Sequence, residues 1–286
     1  MFLTAVIIVI YKPDLLELTE TINSIIKQVS YCIIVDNGNT KVNFPDFKNL
    51  LYFNLNKNYG IAYAQNIGIE VARKYNIEFI IFSDQDTKYS PDYIIKMLSF
   101  YNNYKKKEKL GAIVPRLYDK NKCCESKIAL KKFSYIKPEK NKIYYVAHAI
   151  SSGTFIPIKN FDKIGYMRDE LFIDWVDYEW CWRALKMGYK IISIPDVSIE
   201  HMMGDSIINI AGRKIAIKKK LRYYYTIRNG IYIIKYLNVL NISEKILFGI
   251  DLLKKIIGLL FIENRIIYII IKAINDGNKK IINNYV

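Results

Sequence analysis

Several things are scarce in this sequence of 286 residues, and each scarcity narrows what the chain can be. There are four cysteines (Cys32, Cys123, Cys124 and Cys181) and no CxxC pair, so neither a zinc knuckle nor a disulfide framework is indicated. The neighbours Cys123 and Cys124 would bridge only with strain, and free thiols fit a reducing cytosol. Thirteen glycines and seven prolines leave no low-complexity linker, and no internal repeat is present. Long apolar runs are missing too. The longest uncharged ones in the C-terminal part, 256–262 and 266–271, fall well short of the roughly 18 residues a spanning helix needs. Met1 to Tyr11 has no basic leader and no small-residue cleavage site, and reads as a buried first strand rather than a signal peptide.

What is abundant is apolar and basic. Hydrophobic residues make up 51% and charged residues 24%, the composition of a folded protein, and the length suits one large domain or one domain plus an appendage. The net charge of +16 is unevenly spread. From residue 212 onward fifteen Lys and Arg face four Asp and Glu, whereas residues 1–211 hold 28 against 23. A nearly balanced α/β unit is therefore expected over 1–212, followed by a basic, apolar helical extension over 213–286. The segment Lys218-Lys219-Lys220-Leu221-Arg222-Tyr223-Tyr224-Tyr225 interleaves cations with aromatics. That suits a nucleic-acid backbone, an anionic membrane surface or a solvated helix face. The apolar runs behind it favour a helix lying on the membrane, with packing on the body or on a second copy (a homodimer) as the other use.

Along the chain, Ala5 to Tyr11 is a β-branched run without alternation, as in a parallel strand buried on both faces. Pro13-Asp14 opens a helix whose stripe is Leu15, Leu18, Ile22, Ile25, Ile26 and Val29, with Glu17 as a possible capping partner of Asp14. Strands follow at Tyr31 to Val35, Leu51 to Leu55 and Phe79 to Phe82, and a helix at Ile61 to about Lys74. Later come a strand at Tyr144 to Ala147, a helix at Asp177 to Met187 closed by Gly188, and a strand at Lys190 to Ile194 stopped by Pro195. From about Ala216 a helical pattern is expected. The β-α-β-(β)-α-β order is that of an open α/β sheet, in which ligands bind outside the carboxyl ends of the strands. Tyr11, Asp36 and the acids Asp84 and Asp86 all fall at such ends.

Asp84 and Asp86 are separated by one residue, and in an extended segment both carboxylates would face one cation. Mg²⁺ or Mn²⁺ prefers oxygen ligands, needs few from the protein when substrate phosphates complete its shell, and neutralises a diphosphate leaving group. A solvated turn carrying two acids is the plainer reading of the same residues. Asp36 likewise reads either as a ligand-facing acid or as a turn residue bonding its own backbone.

Seven segments in order over about residues 3 to 205 give a resemblance. They are Val9 to Pro13, Ile34 to Gly38, Asn58 to Gly68, Phe82 to Thr87, Ser151 to Thr154, Phe172 to Arg183 and His201 to Gly204. The chain resembles the family 2 glycosyltransferases of GT-A fold, and within them the bacterial rhamnosyltransferases of surface-polysaccharide assembly. The resemblance implies a metal-dependent, inverting transferase in the cytoplasm, peripheral on the inner membrane face. Its donor would be dTDP-rhamnose, or a UDP-hexose in the sister reading, and its acceptor a glycan, usually lipid-linked. It places Tyr11, Asp36, Gly60 and Asn66 around the nucleotide, Asp84 and Asp86 at ribose, metal and diphosphate, and Ser152, Gly153, Trp175 and Glu179 toward the acceptor.

Aligned on Arg183, Asp177 falls where the family places the Asp of its usual Glu-Asp pair, the acid before it being replaced here by Val176, and a carboxylate at a helix start can deprotonate an acceptor hydroxyl. Asp174 and Glu179 compete for that role, and a helix acid favoured by the macrodipole is the alternative for Asp177 itself. Arg183 either reaches the diphosphate or pairs with Glu179 at i, i+4, the pairing being favoured. His201 stands where related enzymes often carry a metal- or diphosphate-contacting His, a hydrogen-bonded structural residue being the other reading, and His148 is read as structural. A different class remains, a non-catalytic basic protein binding membrane or polyanion. A nucleic-acid partner is disfavoured, because acids gathered at strand ends would repel phosphates.

Overall fold

The computed structural model describes residues 2–281 apart from 41, 43, 45–46, 120–122, 202–205, 211–212, 218–219 and 263–265; side chains at 201–219 and 262 also lie outside the described set. The first half runs β1 (Thr4–Ile10), α1 (Leu15–Ile25), β2 (Tyr31–Asp36), β3 (Leu50–Asn54), α2 (Ile61–Lys74), β4 (Phe79–Ser83), α3 (Tyr93–Asn103) and β5 (Leu110–Asp119). The short strands β6 (Cys124–Glu125), β7 (Ile128–Lys131), β8 (Ser134–Ile136), β9 (Tyr144–Val146) and β10 (Phe155–Pro157) follow, then α4 (Asn160–Ile164), α5 (Val176–Lys186) and β11 (Lys190–His201). A hairpin of β12 (Ser206–Ile210) and β13 (Arg213–Ile217) leads to three helices, α6 (Lys220–Tyr236), α7 (Ile242–Ile262) and α8 (Ile267–Asn278).

The main sheet has the order β3-β2-β1-β4-β10-β5-β11-β9, with β6 on β5. Strands β1 to β4 pair in parallel, β11 is parallel to β5, and β10 and β9 run antiparallel to their neighbours. The β-branched run of β1 explains its central place. Ala5 and Ile7 face the cluster that holds α2, α4 and α5, while Val6 and Ile8 face the one that holds α1 and α3. All four are fully buried, and each buried isoleucine is worth about 2 kcal/mol. Strand order reverses where β1 lies between β2 and β4, the switch point at which α/β sheets open a crevice.

Asp14 caps α1 by accepting from the Leu16 and Glu17 N–H groups, as its position after Pro13 predicts. The stripe differs at its start, for Leu15 is 54% exposed. Strand β11 does not stop at Pro195. Ser193 pairs with Val114 but Ser198 with Arg116, so a bulge absorbs the proline, whose missing N–H needs no ladder partner there. The helix expected from Ala216 starts at Lys220, because Arg213–Ile217 pairs antiparallel with Ser206–Ile210. Tyr232, Ile233, Leu237, Val239, Leu240 and Phe248 join the core of the sheet's α2 face, so α6 and α7 share that core. No described helix is long and apolar enough to cross a membrane.

Candidate active site

Register places the strand ends side by side, with Ile10 opposite Asp36 and Ile8 opposite Ser83. Tyr11 follows β1, is 43% exposed, and donates its backbone N–H to Gln85 Oε1 at 2.9 Å. Asp36 ends β2 and is fully buried. Its Oδ1 accepts from Gly38 N at 2.8 Å and the Thr40 hydroxyl at 3.2 Å, and its Oδ2 from Thr40 N at 2.6 Å and the Tyr52 hydroxyl at 2.7 Å. Four donors therefore meet the carboxylate, and in this arrangement Asp36 organises the turn that ends β2.

Next to it, Asn37 Nδ2 donates to Asn58 Oδ1 at 3.0 Å, while Tyr59 N donates to Asn37 Oδ1 and Gly60 N to Asn58 Oδ1. This paired amide brace lashes the 58–60 loop to the end of β2. Gly60 caps α2 at φ 91°, and a Cβ there would lie 2.6 Å from the Phe172 carbonyl oxygen. Glycine is required by both conformation and space. Asn66 lies elsewhere: its amide donates to Met167 O and to Asp169 Oδ1, and accepts from Met167 N. It ties α2 to the 167–169 segment rather than flanking the strand ends.

Asp84, Gln85 and Asp86 are partly buried and form a turn beyond β4, not the extended segment that would face both acids one way. Thr87 is buried and bonds Ser152 Oγ at 2.6 Å, the backbone of Lys88 makes an isolated antiparallel β-bridge with that of Glu200, and Thr21 donates to Gln85 O. These anchors bend the chain. Ser152 is 1% exposed and its Oγ accepts from Asp84 N at 3.3 Å, while Ser151 N donates to Asp177 Oδ2 at 3.2 Å. One Ser-Ser dipeptide thus fixes both Asp84 and Asp177. Gly153 sits beneath them at φ 75°, where a Cβ would meet Pro115 at 2.8 Å, and its carbonyl accepts from the buried Tyr93 hydroxyl. Ser152 and Gly153 therefore support the acidic turn from below; they are not an open acceptor-side loop.

Asp177 stands in the first turn of α5, its Oδ1 accepting from Tyr178 N at 2.9 Å. Burial pushes its carboxyl up from 3.8 to about 6; the two amide bonds pull it down, and the charges of Asp84 and Asp174 push it up again. The two competitors are otherwise engaged. Asp174 receives Arg222 Nη2 at 2.8 Å and the Thr226 hydroxyl at 2.9 Å. Glu179 is fully buried, and its carboxylate accepts from Arg168 and from both Nε and Nη2 of Arg183. Arg183 makes the i, i+4 pair and also donates to Ile164 O and Tyr166 O. Glu179 therefore lies in the core, its burial compensated by two arginines.

Trp175 packs edge-on to Phe248 with Lys255 Nζ 4.7 Å over its ring, and its Nε1 donates to Thr226 O. It joins α5 to the C-terminal helices; Trp180 and Trp182 are core residues. His148 is structural, with Trp182 Nε1 donating to its Nδ1, the Tyr135 hydroxyl at its Nε2, and Tyr178 stacked at 3.8 Å. Burial, with Lys132 and Lys255 adding to it, drives its pKa down to about 3. His201 ends β11 opposite Asp119, and its side chain lies outside the described residues. Among the described residues no cluster of three His, Cys, Asp or Glu could hold a metal by itself. Asp84 and Asp86 lie on the turn beyond β4, and two carboxylates fit a hard cation only when substrate phosphates complete its shell.

Residues 5–165 match the family model described as glycosyl transferase family 2. The dTDP-rhamnosyl transferase RfbF of Shigella flexneri is 33% identical over 238 residues, covering 80% of this chain and 79% of the relative. Among solved structures, S. aureus TarS 1–349 in complex with UDP-GlcNAc superposes at a TM-score of 0.60 with 15% identity, covering 98% of this chain and 82% of that one. GalNAc-T7 with UDP, GalNAc and Mn²⁺ gives 0.55 at 13% identity over 88% of this chain and 54% of that one. At such identities the two structures speak to the fold alone, and the fold they share with this chain is GT-A.

Proposed function

The chain belongs to glycosyl transferase family 2, and from that premise we propose that it transfers rhamnose from dTDP-rhamnose, with inversion, to a hydroxyl of a glycan acceptor. The observation that carries the site is the Ser151-Ser152 dipeptide, which holds the half-buried carboxylate of Asp177 beside the acidic turn at Asp84. In the proposed step the acceptor oxygen attacks the anomeric carbon as the bond from that carbon to the diphosphate oxygen breaks. The bonding pair leaves with dTDP, and the hydroxyl proton passes to Asp177, whose raised pKa suits a base near neutral pH. The donor assignment is supported by the Shigella relative, a dTDP-rhamnosyl transferase by its description. The brace of Asn37 and Asn58 would shape the nucleotide side.

Asp84 and Asp86 would hold Mg²⁺ or Mn²⁺ together with the donor diphosphate, His201 being the further candidate ligand; the cation would supply charge neutralisation on the leaving group. The acceptor is proposed to be lipid-linked and met at the cytoplasmic membrane face. In support, α7 exposes Ile242, Ile246, Ile250, Leu253, Ile257, Leu260 and Phe261 along one stripe, with Lys245 and Lys254 toward its two edges on a helical projection.

The test is release of dTDP or UDP from dTDP-rhamnose, UDP-glucose and UDP-galactose, each with Mn²⁺, Mg²⁺ or EDTA. Turnover of dTDP-rhamnose that EDTA abolishes is expected. Turnover of a UDP-hexose alone refutes the donor, and turnover in EDTA refutes the metal.

A further inference from the structure

The loop before α5 is held in an unusual shape. Phe172, Asp174 and Trp175 have φ of 61°, 64° and 67°, left-handed values that residues with a Cβ adopt only where surroundings over-determine them. Asp177 follows two residues after the last of them. The determining contacts come from α6. Asn229, fully buried, directs its Nδ2 at the carbonyls of Leu171 (2.7 Å), Ile173 (2.8 Å) and Asp174 (3.1 Å). Arg228, also fully buried, donates to Glu170 O and Leu171 O. Thr226 donates its hydroxyl to Asp174 Oδ2, its carbonyl accepts from Trp175 Nε1, and Arg222 pairs with Asp174 Oδ1. Tyr225 stacks on Phe172 at 4.7 Å. The loop's other side is pressed against Gly60.

Nothing in α1 to α4 makes this set of contacts, so we propose that α6 is a positioning element of the active site. Asn229, Thr226 and Arg222 act on catalysis through the 171–175 loop, without touching substrate. The inference rests on Asp177 as the base. It makes the basic C-terminal segment part of the catalytic unit as well as a surface element.

The test uses the full chain, dTDP release from dTDP-rhamnose with Mn²⁺, and calorimetric binding of dTDP. Asn229→Ala is expected to lower kcat by about 10²-fold while KM and the dTDP Kd move by less than about threefold, since a small displacement of a catalytic group costs rate more than binding. Arg222→Met keeps the length and most of the packing of a partly exposed side chain, and its melting temperature is read alongside. It removes the cation bonded to Asp174, and the charge of Asp174 then weighs more on Asp177. The acid limb of kcat/KM should move to higher pH, and Arg222→Lys should move it back. Lys235→Gln, at the exposed far end of α6, should leave kcat unchanged.

Normal kcat in Asn229→Ala, or an unmoved acid limb in Arg222→Met, overturns the proposal. So does a loss of kcat and dTDP binding in parallel with melting temperature, which marks a merely structural helix. Asp177→Asn separates the two readings. If it turns over normally the base assignment is wrong; if it is inactive while Asn229→Ala is normal, only the positioning role fails.

Discussion

Replacing Asp177 with Asn should trade activity for stability, with a size that follows from its surroundings. Its carboxyl is raised from 3.8 to about 6, chiefly by burial and further by Asp84 and Asp174. A folded pKa above the unfolded value means the fold prefers the protonated acid. The charge therefore opposes folding above about pH 6, and that cost fades as pH falls toward 3.8. Two pKa units correspond to about 3 kcal/mol, an upper figure because Asn loses the Ser151 N–H as a donor to Oδ2. Asp177→Asn should raise denaturant stability at pH 7.5 by up to that amount and change nothing at pH 3.5. In the same variant kcat should fall by roughly 10²–10⁴-fold with dTDP affinity kept. The native enzyme should lose kcat/KM below about pH 6, to roughly a tenth at pH 5. Donor-hydrolysis kinetics across pH 4.5–8.5, beside urea titrations at both pH values, check all three. An acid limb near pH 4, or a variant no more stable at pH 7.5 than at 3.5, would refute the reasoning about burial. Near-normal turnover of the variant would refute the base.

Gly60→Ala should destabilise the fold by more than about 2 kcal/mol and depress donor binding, since left-handed φ and a 2.6 Å approach to Phe172 O both resist a Cβ; urea unfolding and dTDP calorimetry measure this. His148, held neutral with its pKa near 3, contributes stability above its ordinary 6.5 that drains as pH falls toward 3. That opposes the trend of Asp177, so the native protein should show a flatter acid profile than Asp177→Asn, read from melting temperatures between pH 4 and 7. Ile250→Ser, Leu253→Ser and Ile257→Ser together should cut sedimentation with anionic phospholipid vesicles at least tenfold and leave hydrolysis of dTDP-rhamnose unchanged, because these side chains are 45%, 56% and 46% exposed. Equal sedimentation would place the membrane contact elsewhere.

The sequence was enough for the parallel half of the sheet. Unbroken apolar runs at β1, β2 and β4 are the pattern of strands buried on both faces, which the α/β order makes parallel, and the polar residues ending each run then share one crevice. The i, i+4 spacing of Glu179 and Arg183 likewise made their pairing readable. Non-local partners were not readable. Asp36 was equally a ligand and a turn acid until Tyr52 and Thr40 appeared around its carboxylate. The turn at Asp84 to Asp86 depends on Thr87 meeting Ser152, 65 residues away. Asn37 and Asn58 were visible as turn residues, and nothing in their spacing of 21 announced the brace. Gln85, between two acids, gave no sign that it caps Tyr11. Pro195 marked an end only because its bulge partner on β5 lies far off in sequence. The acidic pair that ends β4 and the base that opens α5 were legible as residue types at element ends, since periodicity fixes where elements stop. Which partners each carboxylate takes, and that α6 holds the loop carrying one of them, depended on burial and on hydrogen bonds from residues between 11 (Arg168 to Glu179) and 58 (Asn229 to Leu171) positions away, which only the tertiary structure brings together.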